Sequence, residues 1–141
     1  MRRLIAAVLL SVGIQAQDDW ALIAHPCIPE HIELTPEQIR MIYLEKRRYL
    51  EGRRIVPLQL PADSALRRKF ERSVIGMNRD QWRAYWIRRH YLGERPPRVA
   101  GSVSAAVAFV ETICGAVAYV PRDEALEANV SILYENPVTL P

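Results

Sequence analysis

The sequence lacks the features that mark several large classes of protein. It has only six glycines in 141 residues, and none of them forms a phosphate-binding P-loop or a nucleophile elbow around a serine. We see no internal repeat, no low-complexity tract, no paired catalytic carboxylates and no composition break that would mark a second domain. We therefore expect a single domain that is not an enzyme and that needs no cofactor.

The amino terminus carries the only strongly apolar run. A positive start, Met1–Arg3, precedes mostly apolar residues 4–14, and Ala16 then precedes two acids. This run is too short to span a bilayer and has the order of a secretory signal peptide. We predict a signal peptide over residues 1–16, a domain over 17–135 and a frayed tail over 136–141. An uncleaved anchor is the alternative. The cleaved protein would be periplasmic or secreted and would not span a membrane.

Only two cysteines are present, Cys27 and Cys114. In an exported protein two cysteines can pair as a disulfide, and otherwise they would be two buried free thiols. The sequence leaves both possibilities open. His25 and His31 flank Cys27, but their spacing matches no standard zinc pattern, so we predict no metal site.

Charge is unevenly distributed along the chain. The net charge of +3 falls to +1 if Arg2 and Arg3 are removed with the leader. Residues 39–98 hold 16 basic and 6 acidic residues, whereas the rest of the cleaved chain holds one arginine and 10 acids. The basic segment 39–98 could attract an anionic ligand or partner. Alternatively, the acidic ends fold back and neutralise it through ordinary surface ion pairs.

Short apolar strands alternate with capped helices along the chain, which predicts an α/β domain with a small mixed sheet covered by helices. Thr35, Pro36 and Gln38 form a capping box that starts a helix. Ser102 or Ser104 caps a later helix, and Pro57 favours an edge or an irregular pairing for its strand. The predicted strands lie at residues 20–24, 55–60, 116–120 and 130–134, and the predicted helices at 35–44, 64–75, 80–91 and 102–113.

One helix start is a candidate ligand site. The strand 55–60 leads through Asp63 into a helix that opens at Ser64. The first backbone N–H groups of a helix have no intrahelical partner, so they point at one spot and favour an anion there. Arg67 and Arg68 add positive charge in the first turn. The pattern predicts an oxyanion site at this turn.

Three pieces of the chain resemble the substrate-binding proteins of phosphate ABC transporters. They are the helix 34–44 with its basic–aromatic continuation, the strand 55–58 leading into Asp63-Ser64, and the run Gly115-Ala-Val-Ala-Tyr-Val120. The resemblance implies a type II periplasmic binding-protein fold, and the length of the chain implies about one lobe of it. It further implies phosphate or a similar oxyanion as ligand and an ABC permease as partner.

The family's phosphate-gripping motif carries over only in part. Ser64 matches the family's serine, but Ala65 and Leu66 replace the usual glycine and threonine, and the strand end Gln59-Leu60 lacks the family's arginine. Asp63 would cap the helix or fix the loop. The predicted oxyanion contacts are the N–H groups of Ser64, Ala65 and Leu66, the Ser64 hydroxyl, and Arg67 or Arg68.

Two alternatives to a transport receptor remain. The chain could be an accessory or adhesion-like module that kept the fold and contacts anionic membranes, wall polymers or a protein through the basic segment. It could also form a homodimer that rebuilds a two-lobed cleft, and an exposed aromatic residue on the helix of Trp82 would be the sign of this. Trp82, Tyr85 and Trp86 are spaced like a core face, so we predict no nucleic-acid partner.

Overall fold

The computed structural model describes residues 19–136, so the predicted leader and residues 137–141 lie outside the described part. Its elements, in chain order, are β1 (Trp20–Ala24), α1 (Pro36–Tyr43), β2 (Tyr49–Leu50), β3 (Arg53–Arg54), β4 (Val56–Gln59), α2 (Ala65–Phe70), a π-helical turn (Glu71–Ile75), α3 (Arg79–His90), β5 (Arg98–Val99), α4 (Val103–Thr112), β6 (Ala116–Pro121), α5 (Arg122–Glu127) and β7 (Ser131–Asn136).

Five strands form one mixed sheet in the order β5-β4-β6-β1-β7, and β2 and β3 form a separate hairpin. Strand β4 runs parallel to both β5 and β6, whereas β1 runs antiparallel to both β6 and β7. The predicted α/β class with a mixed sheet is thus confirmed. Asn136, which we placed in the tail, pairs with Trp20 as the last residue of β7.

Pro57 predicted an edge or an irregular pairing for its strand; β4 lies inside the sheet, and Pro57 is paired on one side only. Pro57 faces Val117 on β6, but β5 begins only beside Leu58 and pairs with just two residues of β4. The sheet is therefore one strand narrower at the level of Pro57. A residue without an N–H is tolerated at such a place because no ladder is interrupted on that side.

Side-chain caps fix where four helices begin, and Ser64 provides the cap of α2. The Thr35 hydroxyl accepts from the Gln38 N–H at 3.2 Å while the Gln38 side chain accepts from the Thr35 N–H at 2.8 Å, which confirms the capping box. Ser102, the first of our two candidates, caps α4. Helix α3 starts one residue earlier than we predicted, because Asn78 rather than Asp80 provides the cap.

The helix predicted over residues 64–75 is present but changes geometry midway. It is α-helical through Phe70 and π-helical from Glu71 to Ile75, and it ends at Gly76 with a φ of 75°. The N–H groups of Gly76 and Met77 both donate to the Glu71 carbonyl, at 2.7 and 3.1 Å. The wider turn brings the end of this helix round towards α3.

A cluster of aromatic rings packs one face of the sheet against the helices. Phe70 stacks on Tyr119 at a centroid distance of 3.9 Å and meets Trp20 and Tyr43 edge-on at 5.4 and 5.0 Å. All four side chains are buried. Aromatic pairs of this kind add to the free energy gained from burial alone. Phe70 therefore fixes α2, and with it the turn before α2, against the sheet.

Cys27 and Cys114 form a disulfide with a Cα–Cα distance of 5.8 Å. It joins the loop after β1 to the residue before Gly115, across 87 positions of sequence.

Gly115 has a φ of +96°, and a Cβ there would lie 2.2 Å from the carbonyl oxygen of Arg54. Only glycine allows the chain to pass this close to β3.

The sequence analysis missed three elements: the β2–β3 hairpin, which we treated as a basic connection, strand β5 and helix α5. None of the helices in the described residues 19–136 combines the length and apolar character needed to cross a bilayer.

Candidate oxyanion site

The turn between β4 and α2 is held by its own backbone and by Ser64. The Ser64 N–H donates to the Pro61 carbonyl at 2.9 Å, and the Ser64 hydroxyl accepts from the Arg67 N–H at 3.1 Å. The N–H of Ser64 is therefore engaged within the turn. The N–H groups of Ala65 and Leu66, at the first two positions of the helix, have no intrahelical acceptor and remain able to bind a ligand. The proton of the Ser64 hydroxyl is likewise available.

Arg67 points inward and is paired. Its side chain is 9% exposed, and its Nε lies 3.0 Å from Oε2 of Glu71, whose side chain is 4% exposed. Its Nη1 donates to the Leu60 carbonyl at 2.9 Å. A buried guanidinium with these partners joins the end of β4 to the helix. Arg67 therefore acts first as a structural residue of the turn.

Glu71 also binds a second arginine, Arg79, from the start of α3. Arg79 Nε lies 3.4 Å from Glu71 Oε1, and Arg79 Nη2 donates to the Ala62 carbonyl. A single buried carboxylate therefore holds two guanidinium groups on either side of the turn. Charge-assisted bonds of this kind are stronger than neutral ones and fix both side chains.

Arg68 and Asp63 differ from Arg67 in being exposed to solvent. Arg68 Nη1 donates to the backbone carbonyl of Asp63 at 3.2 Å, so it folds back over the turn. Asp63 is not the helix cap, since Ser64 has that role, and it contributes to the loop through its carbonyl oxygen. Arg68 is the cation that can reach an anion at this turn without breaking a buried pair.

Behind the turn, Tyr119 and Gln59 complete a buried polar network. The Tyr119 hydroxyl donates to Gln59 Oε1 and accepts from the Leu60 N–H at 3.3 Å. Burial raises the pKa of Tyr119 well above its usual value, although the Leu60 N–H and Arg67 oppose the shift. Tyr119 is thus a neutral hydrogen-bond donor at physiological pH. Nε2 of Gln59 is buried and has no hydrogen-bond partner among the described residues.

An open surface pocket of about 530 Å³ lies along α3, between Arg67 of α2 and Pro96 of the segment before β5. We call it the tryptophan cavity. Its walls are Arg67, Arg79, Trp82, Arg83, Trp86, Ile87, His90 and Pro96. It has the volume of an ordinary small-molecule site. Trp82, Tyr85 and Trp86 are all less than 10% exposed, as their helical spacing predicted.

Several arginines of the basic segment 39–98 pair with acids of the same segment. Glu71 binds Arg67 and Arg79, and Glu94 binds Arg48 at 3.0 Å and Arg89 at 2.5 Å. Both acids belong to the segment itself. Among the ion pairs we describe, Arg40 with Glu37, at 3.8 Å, is the contact between this segment and an acid outside it.

His25, Cys27 and Cys114 come together, with their potential ligand atoms within 4.8 Å of one another. Both sulfur atoms are in the disulfide, and His25 Nδ1 accepts from the Cys27 N–H at 2.9 Å. A disulfide offers no thiolate to a metal ion. In the oxidised protein this group serves to fix the loop after β1.

The sequence placed Ser64, Ala65, Leu66, Arg67 and Arg68 at one turn, and the structure brings them together there. It missed the counter-charge Glu71 and the second cation Arg79. The spacing of Arg67 and Glu71, four residues apart on a helix, was a readable signal. The pairing of Arg79 with Glu71 could not be predicted from the sequence. The π-turn and Gly76 lie between the two residues, and no local pattern specifies the path of the chain there.

No protein-family model matches the sequence, and no curated protein matches it. Solved structures do match the fold. An ABC-type phosphate transport receptor from Vibrio cholerae superposes with a TM-score of 0.63 and 20% identity, over 82% of this chain and 45% of that one. A protein described as a phosphate ABC transporter substrate-binding protein from Clostridium perfringens, solved with bound phosphate, gives 0.67 and 20% over 86% and 46%.

This chain thus spans less than half the length of either of these proteins. The first is described as a transport receptor and the second as a substrate-binding protein. At 20% identity the likeness establishes the fold and leaves the ligand open. The described residues have the α/β fold of one lobe of a phosphate-transport receptor, as the sequence predicted.

Proposed function

We propose that this protein is an exported, periplasmic or secreted binding protein that takes phosphate or a related oxyanion at the turn before α2. The observation that carries the proposal is the start of α2 on this fold, where the N–H groups of Ala65 and Leu66 have no acceptor within the helix and lie next to the Ser64 cap. Helix starts of this kind favour anions through both their free N–H groups and the helix dipole.

Arg68 is the cation we assign to the ligand, and Arg67 is a positioning residue. What supports this division is that Arg67 is buried against Glu71, whereas Arg68 is exposed and already folds over the turn. Moving Arg67 to a ligand would leave Glu71 with one fewer partner in a buried place. The family's arginine and threonine are absent, so we expect affinity weaker than that of a two-lobed receptor, because each lost charge-assisted bond costs about 1.5–3 kcal/mol.

Calorimetric titration with phosphate and then sulfate tests the proposal. Ser64→Ala and Arg68→Glu should each weaken phosphate binding by about tenfold or more, since each removes a hydrogen-bonding or charged partner of the anion. Ser102→Ala is the matched control for the loss of a serine cap, and Arg72→Glu is the matched control for the charge reversal. If both site variants bind phosphate like the parent, the oxyanion site is not at this turn.

Two partners follow from the proposed function. Since the chain covers under half of the receptors it resembles, a second copy could supply the facing half of a cleft. Ile87, Tyr91 and Leu92, at the end of α3, are 54–84% exposed and offer an apolar contact for it. A transport role would also need an ABC permease. Sedimentation equilibrium with and without phosphate tests the dimer, and a mass of one chain under both conditions would exclude it.

A second candidate function is contact with an anionic surface. The β2–β3 hairpin exposes Arg53 and Arg54 beside Tyr49, which is 57% exposed and lies under the Arg54 guanidinium at 5.8 Å. An exposed aromatic among arginines suits a membrane interface or a polyanion. Co-sedimentation with vesicles containing anionic lipid should fall steeply with salt if this function holds. Binding that is unchanged by Arg53→Glu would count against it.

A further inference from the structure

The tryptophan cavity has the polarity of a site for an anion. Three of its walls are the arginines Arg67, Arg79 and Arg83, and no carboxylate is among its lining residues. Glu71 lies behind Arg67 and Arg79 and offsets one of the two charges. Arg83 has only a loose contact with Asp80, at 3.7 Å, and both of these side chains are mostly exposed. The cavity therefore keeps a net positive charge.

The remaining walls are flat and apolar. Trp82 and Trp86 meet at a centroid distance of 5.6 Å and an interplanar angle of 70°, and Ile87 and Pro96 lie at the rim. Trp82 and Trp86 are mostly buried, whereas Ile87 is 54% exposed and Pro96 is also exposed. An inorganic anion would leave this exposed apolar rim uncovered. A ligand with a ring would cover it.

We infer that the tryptophan cavity binds a small organic anion, with a phosphate or carboxylate group at Arg79 and Arg83 and a planar apolar group against Trp82, Trp86 and Ile87. This goes beyond the proposed function, because inorganic phosphate has no part that needs an apolar wall. The start of α2 and the tryptophan cavity adjoin at Arg67, but they offer a ligand different hydrogen-bond donors. The helix start supplies N–H groups to a bare oxyanion, and the cavity supplies guanidinium groups and rings to an organic one.

Calorimetry of the full chain with three probes tests this inference. We expect 2-naphthyl phosphate to bind at least about tenfold more tightly than inorganic phosphate, since it adds burial of a ring, and about tenfold more tightly than neutral 2-naphthol, since it adds charge. Equal affinity for naphthyl phosphate and inorganic phosphate would overturn the inference. Equal affinity for naphthyl phosphate and naphthol would overturn it as well.

Variants locate the site. Arg83→Glu should weaken naphthyl phosphate binding by about tenfold, whereas Arg88→Glu, the same charge change on an exposed part of α3 outside the cavity, should change it by less than about twofold. Ile87→Ser removes an exposed apolar part of the wall, and it should weaken naphthyl phosphate binding by about threefold or more. Circular dichroism melts show whether each variant is folded. Equal effects of the two arginine variants would overturn the assignment to this cavity.

The same titrations separate this inference from the proposed function. Inorganic phosphate binding that depends on Ser64 and Arg68, with no preference for the naphthyl ester, supports the proposed function and overturns the inference. Naphthyl phosphate binding that depends on Arg83, with no inorganic phosphate binding at millimolar concentration, supports the inference and overturns the proposed function.

Discussion

Among single residues, Glu71 has the largest number of charged partners near the candidate site. Glu71 is the first residue of the π-turn and is buried. Its carboxylate oxygens lie 3.0 Å from Nε of Arg67 and 3.4 Å from Nε of Arg79. Both arginines also donate to carbonyl groups of the segment between β4 and α2, at Leu60 and Ala62. The conformation of the turn therefore depends on a carboxylate that is not itself part of the turn.

Replacing this carboxylate should be costly. Glu71→Gln leaves the buried guanidinium of Arg67 without its counter-charge, and we expect the free energy of unfolding to fall by about 3 kcal/mol. Glu37→Gln is the matched control, because Glu37 makes an exposed pair with Arg40 at 3.8 Å that should be worth under about 1 kcal/mol. Urea denaturation measures both. Similar losses in the two variants would contradict the structural role of Glu71.

Tyr119 gives the fold a specific response to alkali. Its pKa is raised by burial in the folded protein, and the pKa of Tyr43 is raised well above its usual value for the same reason. A raised pKa means that the folded state holds the phenol proton more tightly than the unfolded state. The resulting stability is fully present below the unfolded pKa of about 10 and is lost as the pH rises above it.

Thermal melts between pH 8 and pH 11.5 check this expectation. The melting temperature should be flat with respect to tyrosine ionisation up to about pH 9.5 and fall above it. Tyr119→Phe should lower stability at neutral pH, because the Gln59 side chain loses its donor, and should make the alkaline fall less steep. An equally steep fall in Tyr119→Phe would show that Tyr119 does not cause it.

At the scale of elements, sequence patterns predicted those parts that have their own local signals. The capping box at Thr35 and the helix end at Gly76 each depend on a few adjacent residues. The structure contains both. Helix α5 was missed because it follows Pro121 directly and has no side-chain cap. Strand β5 has two residues, too few for any alternation, and exists because it pairs with Leu58 and Gln59 of β4.

The same reasoning explains how much of the candidate site was predictable. Ser64 and the two following N–H groups belong to a strand–turn–helix pattern, which the sequence shows directly. The tryptophan cavity requires α3 to pack beside the start of α2, and this depends on the π-turn. No residue pattern in 71–75 predicts a π-turn. The pairing of Arg79 with Glu71 and the tryptophan cavity therefore could not be predicted from the sequence.

The disulfide joins two elements that are distant in the sequence, because it links the loop after β1 to the end of α4. It closes a loop across 87 positions between the β1 end and the α4 end. Constraining so long a loop lowers the entropy of the unfolded chain, so Cys27→Ser with Cys114→Ser should reduce the free energy of unfolding by about 2–5 kcal/mol. Denaturation of the parent with and without a reducing agent gives an independent measure. A loss below about 0.5 kcal/mol would contradict this role.

At the scale of the whole molecule, the structure matches less than half of a two-lobed receptor. Two-lobed binding proteins respond to ligand by closing one lobe on the other. Under the proposed function, we expect a single lobe acting alone to bind its ligand without closing, and two copies facing each other to form a cleft around the ligand.

Small-angle scattering can distinguish these modes. If the chain acts alone, we expect a radius of gyration of about 13–14 Å for the folded part, with no measurable change on adding phosphate. If a dimer forms around the ligand, the forward scattering should double. A monomer whose radius of gyration falls on binding would contradict both, because it would require a hinge within the described residues.

The neighbouring positions of β1 and β7 have a consequence for biosynthesis. Trp20, at the start of the described chain, pairs with Asn136 at its end. Among the described strands, β1 is the first to be translated and lies between β6 and β7, the last two of them, so neither of its edges can be filled until residues 116–136 have been synthesised. Nascent chains would then have no finished sheet before that point. An arrest-peptide force assay should accordingly register folding only after residue 136 has left the ribosome.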